Sequence, residues 1–175
     1  MKQSSSITFH NAGVKFSLKQ KKKLKQFITH IVTSSHRHTC PSGRRVVTLS
    51  FVFCSDEYLR NINKQFLRHD YYTDILTFPL SEDKKHIEAE IYISIDRVKE
   101  NSEKFKVQSS KFQNTKYEIE QSFQAELYRV MFHGVLHLLG FKDKANLQKA
   151  EMRHLEDKWL KKFEEQSSKI KKKDM

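Results

Sequence analysis

His133-Gly134-Val135-Leu136-His137-Leu138-Leu139-Gly140-Phe141-Lys142-Asp143 is the stretch from which the rest of the chain can be placed. Two histidines four apart on a helix share one face, because 3.6 residues per turn nearly return a side chain to its starting direction. A glycine three residues later supplies the left-handed conformation that ends a helix and turns the chain back. That turn brings Asp143 toward the two imidazoles. His-x3-His-x5-Asp offers three metal ligands and leaves a fourth position open. Catalytic zinc is held this way, whereas structural zinc is usually closed by four protein ligands. The segment reads as the active site of a metal-dependent hydrolase.

Working outward, the histidine helix runs from Ser122 through Leu127, Val130 and Met131 to about Leu139. After it, Leu147, Met152, Leu155, Trp159 and Phe163 recur at helical spacing and mark a last amphipathic helix. Before it, residues 88–95 alternate, with Ala89, Ile91, Ile93 and Ile95 on one face of a strand. Residues 74–79 form its neighbour, ended by proline. Asp96 is placed to cap a helix through Phe105. Residues 45–53 are β-branched and aromatic and give another strand, and Ile7 with Phe9 gives a short first one. The segment 19–34 places Leu24, Phe27, Ile28 and Ile31 on a helix, and Ser55 with Asp56 caps another carrying Tyr58, Leu59, Ile62 and Phe66. Residues 35–44 read as a loop, 106–118 as an inserted loop or frayed helix, and 166–175 as a basic, disordered tail. Residues 1–165 then form one domain. Few strands among several helices make it α+β, with one small sheet.

The chain has 175 residues, 37% hydrophobic and 31% charged, with only 4 Gly and 2 Pro, enough for one ordered domain with a real core. No apolar run approaches the roughly 20 residues a membrane helix needs. The N-terminus lacks a signal-peptide core, and Cys40 and Cys54 make neither a CxxC nor a disulfide framework, so a reduced, cytoplasmic protein is expected. Lys+Arg outnumber Asp+Glu by 33 to 21, a formal net charge of +12, which favours polyanionic partners through counterion release. Lysines near both ends carry part of that count. Charge beside a hydrolytic metal site therefore says more than charge alone.

Three separated motifs resemble the YbeY family of ribosomal-RNA maturation endoribonucleases. They are His133 to Phe141 followed by Met152 and Glu156, the run from Asn63 to Phe78, and Glu90 to Asp96. Together they span most of residues 7–165. The resemblance implies a small α+β fold with a mixed, mainly parallel sheet, about five or six helices, and a metal site at a helix end facing a cleft. It implies a zinc-dependent, single-strand-directed endoribonuclease acting in 16S rRNA 3′-end maturation and ribosome quality control, with the small subunit as partner and no small-molecule cofactor. The family's third ligand is usually histidine, and Asp143 takes its place. Two imidazoles and one carboxylate leave a divalent site at +1 rather than +2, and the same donors suit Mn(II) or Fe(II). The family's catalytic arginine aligns on Leu67, and Arg68, one step later, is the candidate for its role. Ala89-Glu90 stands where Gly-Asp is usual.

Each site residue has a plainer alternative. His154 competes with Asp143 as third ligand but neighbours Leu155 on an amphipathic helix, which turns it toward solvent. His36, His38 and Cys40 lack an evident fourth partner. Lys142 and Lys144 are RNA-phosphate contacts or ordinary solvated cations. Tyr71, Tyr72 and Phe141 stack on unpaired bases or belong to the core. Glu156 orients a ligand histidine or is a surface acid. Gly134 stands where HExxH peptidases carry their general base, so a peptidase is disfavoured. A metal-activated water or the RNA's own 2′-OH remains as nucleophile. The rival reading is a non-catalytic RNA-binding assembly protein with a structural metal.

Overall fold

Alternation along two strands decides which way the sheet faces. In the computed structural model, which describes residues 5–34, 46–83, 85–108 and 116–171, Val47, Leu49, Phe51 and Phe53 of β2 (Val46–Cys54) are buried. Thr48, Ser50 and Val52 between them are only half-buried. β4 (His86–Ser94) repeats the pattern, with Ala89, Ile91 and Ile93 inward and Glu88, Glu90 and Tyr92 outward. Side chains of period two place each set on one face. β1 (Ser6–Ala12) pairs in parallel with β2, β2 pairs in parallel with β4, and β3 (Ile75–Pro79) runs antiparallel to β4. The order β1-β2-β4-β3 makes β3 an edge strand, where a terminal proline is tolerated. This mixed, mostly parallel sheet with its helices is the small α+β domain expected.

The helices are α1 (Lys21–Ser34), α2 (Asp56–Ile62), α3 (Ile95–Gln108), α4 (Lys116–Leu138) and α5 (Asn146–Lys171). α4 is the hub. Leu127, Val130, Met131, Phe132, Val135 and Leu136 are all buried, and a helix apolar on nearly every side must be covered on nearly every side. β3, β4, α3 and α5 provide most of that cover. Phe132 meets Phe27 of α1 at 5.4 Å and Phe163 of α5 at 5.9 Å between ring centroids. α4 lies tight against the sheet at Gly134. A Cβ there would lie 2.7 Å from Ile75 Cδ1 and 3.2 Å from both Ile91 Cγ2 and Thr77 Oγ1.

Several local expectations need correction. α3 is capped by Ser94, whose Oγ accepts from the Arg97 N–H at 3.1 Å. Asp96 lies within the first turn and instead accepts from the Asp56 backbone N–H at 3.0 Å, tying α3 to the start of α2. Ile95 accordingly opens the helix rather than closing the strand. After α2 the backbone widens into a π-helical turn (Asn63–Leu67), which rotates Phe66 off the apolar stripe. Phe66 is 64% exposed and packs edge-on against Phe78 at 5.8 Å. α4 begins at Lys116, earlier than Ser122. α5 continues past Gln166 to Lys171, because Phe163 is buried and Ser167 Oγ bonds to Phe163 O and to Gln20 Oε1 of the segment leading into α1. The loop at 35–44 with His36, His38 and Cys40, most of the 106–118 insertion, and residues 172–175 lie outside the described residues.

Overpacking a filled site costs about 1–3 kcal/mol, against the ~1 kcal/mol that alanine gains over glycine in a helix. Gly134→Ala should therefore lower stability slightly and Gly134→Val markedly in chemical denaturation. Equal midpoints for all three proteins would show that β3 yields freely at Ile75.

Candidate metal centre

The end of α4 builds half of the site. Gly140 has φ +83°, its N–H donates to His137 O at 2.9 Å, and the Phe141 N–H reaches back to Leu136 O at 3.1 Å. This pair of bonds is the Schellman closure, which needs a residue at ease in the left-handed region. The reversal packs the Phe141 ring against the core and turns its carbonyl onto His137, whose Nδ1 donates at 3.0 Å. Asp143 follows within two residues.

The other half comes from α5. Glu156 is only 7% exposed, and its Oε1 accepts from His133 Nδ1 at 2.7 Å. Both Nδ1 atoms therefore carry their protons toward oxygen acceptors. In neutral imidazoles this leaves a lone pair on each Nε2. The two Nε2 atoms lie 2.9 Å apart, and each is 3.8 Å from Asp143 Oδ2. Three acceptors thus converge with only a cation able to reconcile them, a donor set that fits a divalent metal ion. Burial works to lower the pKa of His133, but the Glu156 hydrogen bond and the charges of Glu156, Asp74 and Asp143 outweigh it and raise it. Burial and the neighbouring His133 lower that of His137.

Cavities open on both sides of these ligands. One of about 500 Å³ lies among α3, α4 and α5 and is lined by Asn101, Lys104, Glu126, Arg129, Arg153 and Glu156. The other, about 360 Å³, follows the edge strand from Thr73 to Pro79. Asp74, Ile75, His133 and Asp143 line both, so together they form one cleft with the ligands at its middle.

Of the residues singled out from sequence, the fold brings together His133, His137, Asp143 and Glu156. Lys142 and Lys144 flank Asp143 and are exposed. Arg68 closes the π-helical turn with φ +60°, is exposed, and is not among the residues lining either cavity. Tyr71 and Tyr72 are 56% and 47% exposed on the loop leading to Thr73 and Asp74, whereas Phe141 packs against the core. His154 faces solvent. Arg129 is one of several cleft residues that sequence reading passes over, with Asn101, Lys104, Glu126 and Arg153. The signal for Arg129 is a lone cation in an apolar run, one helical turn before His133.

A small α+β domain whose central helix ends in two histidines, with an aspartate brought back by the turn that follows, over a two-sided cleft is the framework of a hydrolase whose ligand cluster could hold a metal ion. The endoribonuclease YbeY family model matches residues 8–164, and the chain belongs to that family. It is 37% identical to endoribonuclease YbeY of Cytophaga hutchinsonii over 155 residues, covering 89% of this chain and 94% of that protein. With the Amoebophilus asiaticus protein of the same name the identity is 38% over 156 residues, covering 89% and 92%. The solution structure of TM1509 from Thermotoga maritima superposes with a TM-score of 0.54 at 26% identity, covering 94% of this chain and 93% of that one.

Asp143→Ala should fold, melt close to the parent, and lose the metal that the parent binds, as read by elemental analysis beside a thermal scan. Metal retained at parental level would move the third ligand elsewhere.

Proposed function

We propose that this protein is a metal-dependent endoribonuclease that cuts single-stranded ribosomal RNA, in 16S rRNA 3′-end maturation and ribosome quality control, with the small subunit as its partner and the cytoplasm as its place of action. The observation that carries the reading is the convergence of His133 Nε2, His137 Nε2 and Asp143 Oδ2 in the middle of a cleft open on two sides. A strand can run past such a site and be cut internally, whereas a closed pocket would admit only an end.

Zinc is the metal assigned, held by His133, His137 and Asp143; Mn(II) and Fe(II) suit the same two-imidazole, one-carboxylate set. Such an ion, when bound, supplies Lewis acidity at a phosphoryl oxygen and lowers the pKa of its water. The chain's own residues do the rest. Glu156 and the Phe141 carbonyl fix the two imidazoles in the tautomer that presents Nε2. Asp143 adds a negative charge, so the centre is less electrophilic than one with three neutral ligands. Lys142 and Lys144, flanking Asp143, offer contacts to the phosphates beside the scissile bond. Arg68 and the exposed Tyr71 and Tyr72 lie just before Thr73 in the chain and are the candidates for holding an unpaired strand, although the Tyr71 ring stacks on His69 and Arg60 and Arg97 lie over Tyr72.

The test is cleavage of a fluorescent single-stranded oligoribonucleotide and its duplex by the metal-loaded protein. The single strand should be cut internally and the duplex spared. His133→Ala should abolish cleavage while leaving RNA binding, measured by anisotropy, largely intact. Binding without cleavage by the metal-loaded parent would favour the non-catalytic assembly role that the net charge of +12 also suits.

A further inference from the structure

Behind His133 one guanidinium stands among three carboxylates. Arg129 Nη1 lies 2.5 Å from Asp157 Oδ1 and 3.8 Å from Glu156 Oε2, and Arg129 Nε lies 3.5 Å from Glu126 Oε2. Tethering α4 to α5 would need only the exposed Asp157 partner. Glu126 and Glu156, by contrast, are 8% and 7% exposed, and Arg129 is the cation that the two buried carboxylates share. Glu156 thus faces a partner at each end, with Oε1 hydrogen-bonded to His133 and Oε2 3.8 Å from the Arg129 guanidinium, close enough for charge attraction though not for a hydrogen bond. Without the guanidinium, two buried negative charges would repel each other. The larger cavity, which both acids line, gives the Glu156 side chain room to swing away from His133. A carboxylate behind a ligand histidine fixes the direction of its metal-binding nitrogen, and losing such a partner typically costs 10–100-fold in affinity or activity.

We infer that Arg129 is a positioning residue for the metal centre, holding Glu156 in the orientation that aims His133 Nε2 at the cation. The inference rests on the metal-binding reading above. It differs from a mere helix tether in acting through Glu156 alone, which a double-mutant cycle can separate.

The experiment is a zinc dissociation constant, by competition with a chromophoric chelator, for the parent, R129M, R129K, E156Q and the double variant R129M/E156Q. The visible spectrum of the Co(II)-loaded proteins and thermal melts accompany it. R129M should bind zinc about 10-fold more weakly and change the Co(II) spectrum. R129K, which keeps the charge but not the fork, should recover part of the loss. In the E156Q background, R129M should add less than about twofold. A folded R129M with parental affinity, or an equal loss in the E156Q background, would overturn the inference; so would a drop in melting temperature with no change in zinc affinity, which is the signature of a tether. R129Q carries the same comparison should R129M fail to fold. A parent that binds no metal would instead remove the metal reading itself, and this inference with it.

Discussion

Two imidazole nitrogens that both carry lone pairs do not rest 2.9 Å apart without something to hold them there. Each ring is fixed from behind, His133 by a carboxylate from α5 and His137 by the carbonyl of Phe141. The first anchor requires α5 to lie along α4, which is the work of Phe132, Phe163 and the apolar residues around them. The second requires the left-handed glycine that turns the chain back onto its own helix. The hydrophobic core and the Schellman turn thus serve one end, which is to aim two lone pairs at a single point.

The sheet contributes the wall rather than the ligands. β3 is the edge strand and lies antiparallel to β4, so residues 73–79 are free to line a groove leading to the ligands. The opposite half of the cleft is helical and charged, with Lys104, Arg129 and Arg153 among acids. A strand crossing the centre would meet threonine hydroxyls and apolar side chains on one side and ionic side chains on the other. The cleft has a built-in polarity, and it follows from sheet order.

The readable parts of the site were those whose geometry is set by neighbours in sequence. His133 and His137 share a face by helical period, and Gly140 followed by Asp143 fixes the turn. Glu156 became meaningful only through family resemblance, because its partner is 23 residues away and on another helix. Arg129 was hidden for the same reason: its three carboxylate partners include two from α5. Capping shows the limit well. Ser94 and Asp96 are both competent caps two residues apart, and the choice was made by Asp56, whose N–H claims the Asp96 carboxylate across 40 residues of sequence. Phe66 misled because the helical period is broken by a π-helical turn that no residue type announces. Strand alternation in β2 and β4 was plain, but which strand stands at the edge depends on pairing, and pairing leaves no period.

The close contact at Gly134 also bears on what this scaffold can become. Zinc peptidases of the HExxH kind carry glutamate directly after the first histidine, and here the space a side chain would need at that position is taken by Ile75, Thr77 and Ile91. The Cβ of a glutamate would meet the Ile75 and Thr77 side chains of the edge strand, so side chains on the wall of the cleft would have to shift before the carboxylate could act as a base. One substitution would thus disturb the substrate groove to obtain the base. Divergence from phosphodiester to peptide chemistry is hindered sterically at the first side-chain atom, one bond from the backbone, even though the two histidines already stand where a peptidase would want them.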